Sequence, residues 1–172
     1  PVPIFSYNQP KKRHKLGLRM TSQTPRLEYN EEENSWQSAL PTQVDLRPFA
    51  SPVGDQGDLG ACTGFSIAKG LMEFLLIKNK RPLVPLIPLF LYYNERKLEG
   101  TIPEDNGAMI ETGVKLLKDL GVARESLWSY DDSNDNNPET LEKFQMSPPK
   151  EAFQDASRFR IKEITALKTI RD

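Results

Sequence analysis

The sequence predicts an α+β chain in which a helical domain, from about Leu40 to Met146, precedes the beginning of a β-rich domain. Apolar residues recur at three- and four-residue steps in separate stretches, the pattern of helices that bury one face. Proline and glycine punctuate the chain between those stretches. From Arg158 onward, Phe159-Arg160-Ile161 alternates as a strand does. A chain of 172 residues is long enough for one sizeable core. Its 23 basic and 24 acidic side chains nearly cancel, which argues against a nucleic-acid partner, whose footprint is a basic excess. One cysteine excludes an internal disulfide and any multi-cysteine zinc site. No run of about 18 apolar residues marks a membrane span.

Residues 1–39 differ from the rest. They are polar, with a basic cluster (Lys11, Lys12, Arg13, His14, Lys15) and an acidic one (Glu31, Glu32, Glu33), and show no sustained apolar period. Such a segment cannot offset its own ordering entropy, so it is either disordered or held extended against another surface. Leu40 to Gly60 reads as an irregular lead-in loop, broken by Pro41, Pro48 and Pro52 and by Gly54, Gly57 and Gly60. The strongest helix follows over about Ala61 to Lys78, with Phe65, Ala68, Leu71, Met72, Leu75 and Leu76 on one face, and Asn79 and Pro82 end it. Between Pro82 and Pro88 the leucine-rich spacing favours a buried connector over a PxxP ligand. Pro88 suits the first turn of a second helix running to about Leu98, because its missing amide has no partner there anyway. A third helix is expected over about Ala108 to Leu120, closed by Gly121. Asp131 to Pro138 is a polar turn, and residues 147–172 are expected to open the β-rich domain.

The chemistry concentrates in Pro52 to Ser66, where a glycine-rich loop delivers the lone Cys62 to the start of an amphipathic helix. Free amides and the helix dipole stabilise a thiolate at that place. A structural cysteine would more often sit within the apolar face, which begins only at Phe65. Gln56 lies six residues upstream with Gly57 and Gly60 between, so its carboxamide and the amide of Cys62 could serve as donors to an oxyanion. The plainer reading of Gln56 is a solvated loop residue.

Val44-Asp45-Leu46-Arg47, Pro52-Val53, Gln56-Gly57 and Gly60-Ala61-Cys62 with Phe65-Ser66 resemble the opening of papain-like cysteine peptidases. Asn106-Gly107-Ala108 is similar to that family's Asn-Gly-Gly loop along the substrate cleft. Gly121-Val122, Glu125 and Trp128-Ser129-Tyr130 are similar to its Gly-Val, Glu and Tyr-Pro-Tyr segment. The agreement runs from Leu40 to about Tyr130. Leu59 stands where the family has a disulfide cysteine, so the chain resembles a disulfide-free, bacterial-type branch. Thr63 stands in place of an aromatic residue, and Ala108 in place of the second cleft glycine.

The resemblance implies a papain-like fold with the cleft between two domains, and an endopeptidase acting on a peptide or protein substrate without a cofactor. It implies Cys62 as nucleophile, Gln56 as oxyanion donor, and Gly60, Asn106, Gly107 and Ala108 along the substrate. The family's histidine and orienting asparagine follow the cysteine by about 130–150 residues, which places them beyond Asp172. They are therefore expected from a C-terminal half or a second chain. His14 is a poor substitute, since its lysine and arginine neighbours disfavour an imidazolium. The resemblance further implies that residues 1–39 are a short inhibitory prosegment lying in the cleft, and a prosegment favours a secreted or periplasmic enzyme over a cytoplasmic one. The alternative is a catalytically inactive peptide-binding module on the same scaffold. Asp131, Ser133, Asp135 and Glu142 match positions of a calcium loop, but Asn136 replaces its turn glycine, and a solvated acidic turn is the better reading.

Overall fold

The computed structural model describes residues 17–19, 42–131 and 142–164. His14, the two charge clusters of the N-terminal segment and most of the acidic turn lie outside the described residues. The first element, β1 (Leu18–Arg19), is a short strand. The lead-in loop is irregular as expected, with a single 3-10 turn at Arg47–Phe49.

Helix α1 is continuous over three successive pieces, Cys62–Phe65, Ser66–Glu73 and Phe74–Lys78, with Ala61 as its N-cap. The middle piece winds as a π-helix. Ala68, Met72 and Leu76 of the predicted face are buried, joined by Ile67, while Phe65, Leu71 and Leu75 are partly covered. The connector buries only its end. Leu86 and Ile87 are inaccessible, whereas Leu83 is 41% exposed.

Helix α2 (Pro88–Glu99) carries Pro88 in its first turn and Gly100 in the left-handed conformation as its C-cap. Pro88 through Arg96 are all buried, since α1, α3, β2 and the 142–146 turn surround this helix. It is the axle of the domain. Leu89, Phe90 and Tyr92 enter one core cluster with Leu59, Ala61 and Phe144, and Leu91 enters a second with Ile67, Met72 and Leu117.

Two sequence expectations are corrected. Ala108 and Met109 do not begin a helix. They form β2 (Ala108–Met109), paired in parallel with β1 in the register Leu18 to Ala108 and Arg19 to Met109, and helix α3 starts at Ile110 and ends at Asp119. The amide of Ala108 is engaged by the carbonyl of Gly17 at 2.8 Å, a partner no local pattern reveals. Nor does Phe159-Arg160-Ile161 form a strand. Residues 150–156 form helix α4 (Lys150–Ala156), and Phe159 then packs at 7% exposure into the cluster of Ile67, Leu117 and Val122. Its carbonyl accepts the amide of Val122 at 3.1 Å. The described residues 142–164 are thus bound to the helical core.

Two arginines fasten that segment. Arg96, fully buried, donates to the carbonyls of Ile102 (2.7 Å) and Phe144, and its guanidinium lies 4.2 Å from the Tyr92 ring centre and 5.0 Å from that of Phe144. Arg124 grips Asp155 of α4 through Nε and Nη2, with the closest contact 2.8 Å.

Candidate active site

Cys62 is half-buried and is the first residue of α1. The loop before it is turned by Gly57 at φ +58°, whose amide donates to the Asp55 carboxylate at 2.8 Å. This folds Gln56 back onto the segment leading to the thiol. Its Nε2 donates to the Leu59 carbonyl at 3.0 Å, and its own carbonyl accepts the Tyr130 hydroxyl at 2.7 Å. Tyr130 in turn meets Phe65 of α1 edge-on, ring centres 4.9 Å apart. Gln56 is therefore a held loop residue rather than a loosely solvated one.

Three of the four predicted substrate-contacting residues come together around one strand. Gly60 and Gly107 sandwich the buried Gly17, and Ala108 gives it a backbone hydrogen bond. A Cβ on Gly17 would lie 1.8 Å from the Gly60 carbonyl oxygen, and one on Gly107 would lie 1.8 Å from that of Gly17. Gly107 also has φ +74°, a conformation that side chains disfavour. Only bare backbone fits this slot. Asn106 is exposed, and its side chain turns to the Glu104 carboxylate instead of the strand.

Side chains that sequence reasoning missed fix the slot from behind. The buried Asp105 accepts the Gly60 amide at 3.0 and 3.2 Å and the Tyr92 hydroxyl at 2.5 Å, while that hydroxyl accepts the Gly107 amide at 3.1 Å. Both slot backbones thus hang on one carboxylate and one phenol. Burial, then the bond and charge of Asp105, push the Tyr92 hydroxyl well above its ordinary pKa, so it stays protonated as a donor. Gly17 did carry a sequence signal: it is the single glycine of residues 1–39 and sits between Leu16 and Leu18.

Thr63, the departure beside Cys62, has a partner of its own. Its hydroxyl donates to Glu95 Oε2 at 2.6 Å, and Glu95 Oε1 has no hydrogen-bond partner among the described residues. Glu95 is wholly buried, and desolvation pushes its carboxyl up to about 8; nearby Glu99 adds to the shift, while the Thr63 bond and Arg96 oppose it. A neutral carboxylic acid is what such a place holds at pH 7. Gly113 makes room for it, since a Cβ there would lie 2.1 Å from Oε1. Among the described residues no group of three His, Cys, Asp or Glu side chains could hold a metal ion, and no helix is long and apolar enough to cross a membrane. Glu142, the last position of the calcium-like pattern, serves in a capping box with Gln145.

No protein-family model matches the chain. It is 43% identical over 104 residues to an uncharacterized peptidase C1-like protein of Acanthamoeba polyphaga mimivirus, a match covering 59% of this chain and 30% of that protein. Among solved structures, xylellain, a cysteine protease from Xylella fastidiosa, superposes with a TM-score of 0.73 at 32% identity, over 93% of this chain and 62% of xylellain. A procathepsin B of Trypanosoma congolense shares the fold with a TM-score of 0.55 at 16% identity, over 83% of this chain and 48% of its own. The chain thus spans less than two thirds of the length of each. The mimiviral and xylellain matches support a papain-like family assignment, and the chain covers the helical domain of that fold.

Proposed function

We propose that the chain is the nucleophile-bearing part of a cysteine endopeptidase, with residues 1–39 acting as its inhibitory prosegment. The observation that carries this reading is the occupied slot. Two residues before Cys62, an extended piece of the chain's own N-terminal segment lies between Gly60 and Gly107 and bonds to Ala108 as a peptide would. In this reading the Cys62 thiolate attacks the scissile carbonyl carbon, and the oxygen takes the negative charge facing the Cys62 amide and the Gln56 carboxamide. Collapse breaks the C–N bond, and the leaving amine takes a proton from an imidazole. Water then attacks the thioester, giving a carboxylic acid and returning the sulfur. The imidazole and its orienting asparagine come from the part of the relatives' length that this chain does not span.

Gln56 suits its role because its Nε2, donating to the Leu59 carbonyl, is held against the loop that leads to Cys62. Residues 17–19 run from Gly60, two residues before Cys62 in the chain, to Met109 and Glu99. A substrate that presents its carbonyl at Cys62 and extends its preceding residues along the same wall runs the opposite way. The prosegment is thereby a ligand of the cleft but not a substrate of it.

Incubating the full-length protein with a fluorogenic peptide, then trapping by acid quench and mass spectrometry, tests the reading. A thioester on Cys62, absent in Cys62→Ala together with turnover, is the expected outcome. Peptide binding without turnover or adduct supports the inactive binding module instead.

A further inference from the structure

At the far end of the occupied slot, Arg19 stands opposite Met109 in the parallel pair. Its Nη1 lies 3.3 Å from Glu99 Oε2, and Glu99 Oε1 accepts the backbone N–H of Met109 at 3.0 Å. One carboxylate oxygen is thus tied to the cleft strand while the other faces whatever lies in the cleft. The Glu99 side chain is 5% exposed and that of Arg19 is 45% exposed. The acid is buried while its partner stays half in water. Were residues 17–19 to leave, a shielded carboxylate oxygen would lose its cation, and a substrate bringing a cation to the same place would recover that interaction.

We infer that Glu99 is the specificity-determining side chain of a subsite that takes arginine or lysine, two residues from the position held by Gly17. This rests on the reading of the cleft as a peptide-binding one. Arginine is the better fit, since its planar fork can reach a fixed carboxylate while its outer edge stays in water. A substrate carbonyl at Cys62 requires the preceding residues to reach Glu99. The ligand the site describes is therefore Arg-Leu-Gly, with glycine in the backbone slot, leucine in the half-open position of Leu18 and arginine at Glu99.

The test uses the full-length protein and two chloromethyl ketones, Arg-Leu-Gly and Gln-Leu-Gly. In each, the Cys62 sulfur displaces chloride from the chloromethyl carbon, forming a thioether with loss of the thiol proton, and the adduct is followed by mass. Occlusion by the chain's own segment slows both reagents alike, so the rate ratio is the readout. The arginine reagent is expected to react about five- to tenfold faster. In Glu99→Gln, whose amide oxygen can still accept the Met109 bond, the ratio falls to about one. In Glu99→Lys a third reagent, the Glu-Leu-Gly chloromethyl ketone, overtakes the arginine one. Equal rates in the unaltered protein overturn the subsite while leaving the cleft intact. If neither peptide reagent outpaces chloroacetamide, the peptide-cleft reading itself fails.

Discussion

At the cleft, Gly17, Gly60 and Gly107 meet backbone to backbone, and a methyl group added to Gly17 or Gly107 would fall inside a neighbouring carbonyl. At the rear, residues 142–164 are fastened by the long side chains of Arg96 and Arg124 to carbonyls and to Asp155. The difference teaches how the domain divides its work. On the proposed reading the slot receives a peptide and must present amides and carbonyls, so side chains are kept out of it and positioned behind it, as Asp105 and Tyr92 are. A segment meant to stay needs no exchangeable surface, and buried side chains can pin it.

The contrast is broken most severely at the rear. Arg96→Ala removes the donor to the carbonyls of Ile102, Glu104 and Phe144 and empties the space between Tyr92 and Phe144, and should cost about 3–5 kcal/mol in urea unfolding. A loss under about 1 kcal/mol would mean that the 142–146 turn is held by other contacts.

Glu95 gives the next effect, and it depends on pH. Its folded pKa of about 8 lies above the ordinary glutamate value, so the folded state holds the proton more tightly. The resulting stability is fully present below the ordinary glutamate range and is lost as pH rises toward 8, by about 1.4 kcal/mol per unit within that window. Glu95→Gln should flatten this dependence in thermal melts taken from pH 5 to 8. An unchanged slope would assign it to other groups.

Much of this arrangement is legible in the sequence where the cause is local. The apolar spacing of α1, Pro88 at the start of α2, and the Gly60-Ala61-Cys62 and Asn106-Gly107-Ala108 runs each carry their own signal. What escaped depends on partners far along the chain. Ala108 and Met109 read as helix because their strand partner lies at residues 18–19. Phe159 read as strand because the apolar cluster that receives it is built from α1, α3 and the connector. The bonds of Asp105 to Gly60 and of Thr63 to Glu95 cross 45 and 32 residues, and no periodicity reports them.

A smaller effect sharpens the view of the residue beside Cys62. Thr63→Val keeps the shape but removes the donor to Glu95, and should cost about 1–2 kcal/mol in stability. Loss of turnover without loss of stability would instead give Thr63 a part in the chemistry.

The most direct measurement is peptide turnover by the full-length protein carrying Gly17→Ala. The methyl group has no room between Gly60 and Gly107, so residues 17–19 should leave the slot while the helical domain keeps its melting temperature. Turnover should rise at least about tenfold, since a lost strand contact of about 1.4 kcal/mol or more has that effect, and adding Cys62→Ala should abolish it. Turnover that is unchanged by Gly17→Ala, or that survives Cys62→Ala, would contradict the account.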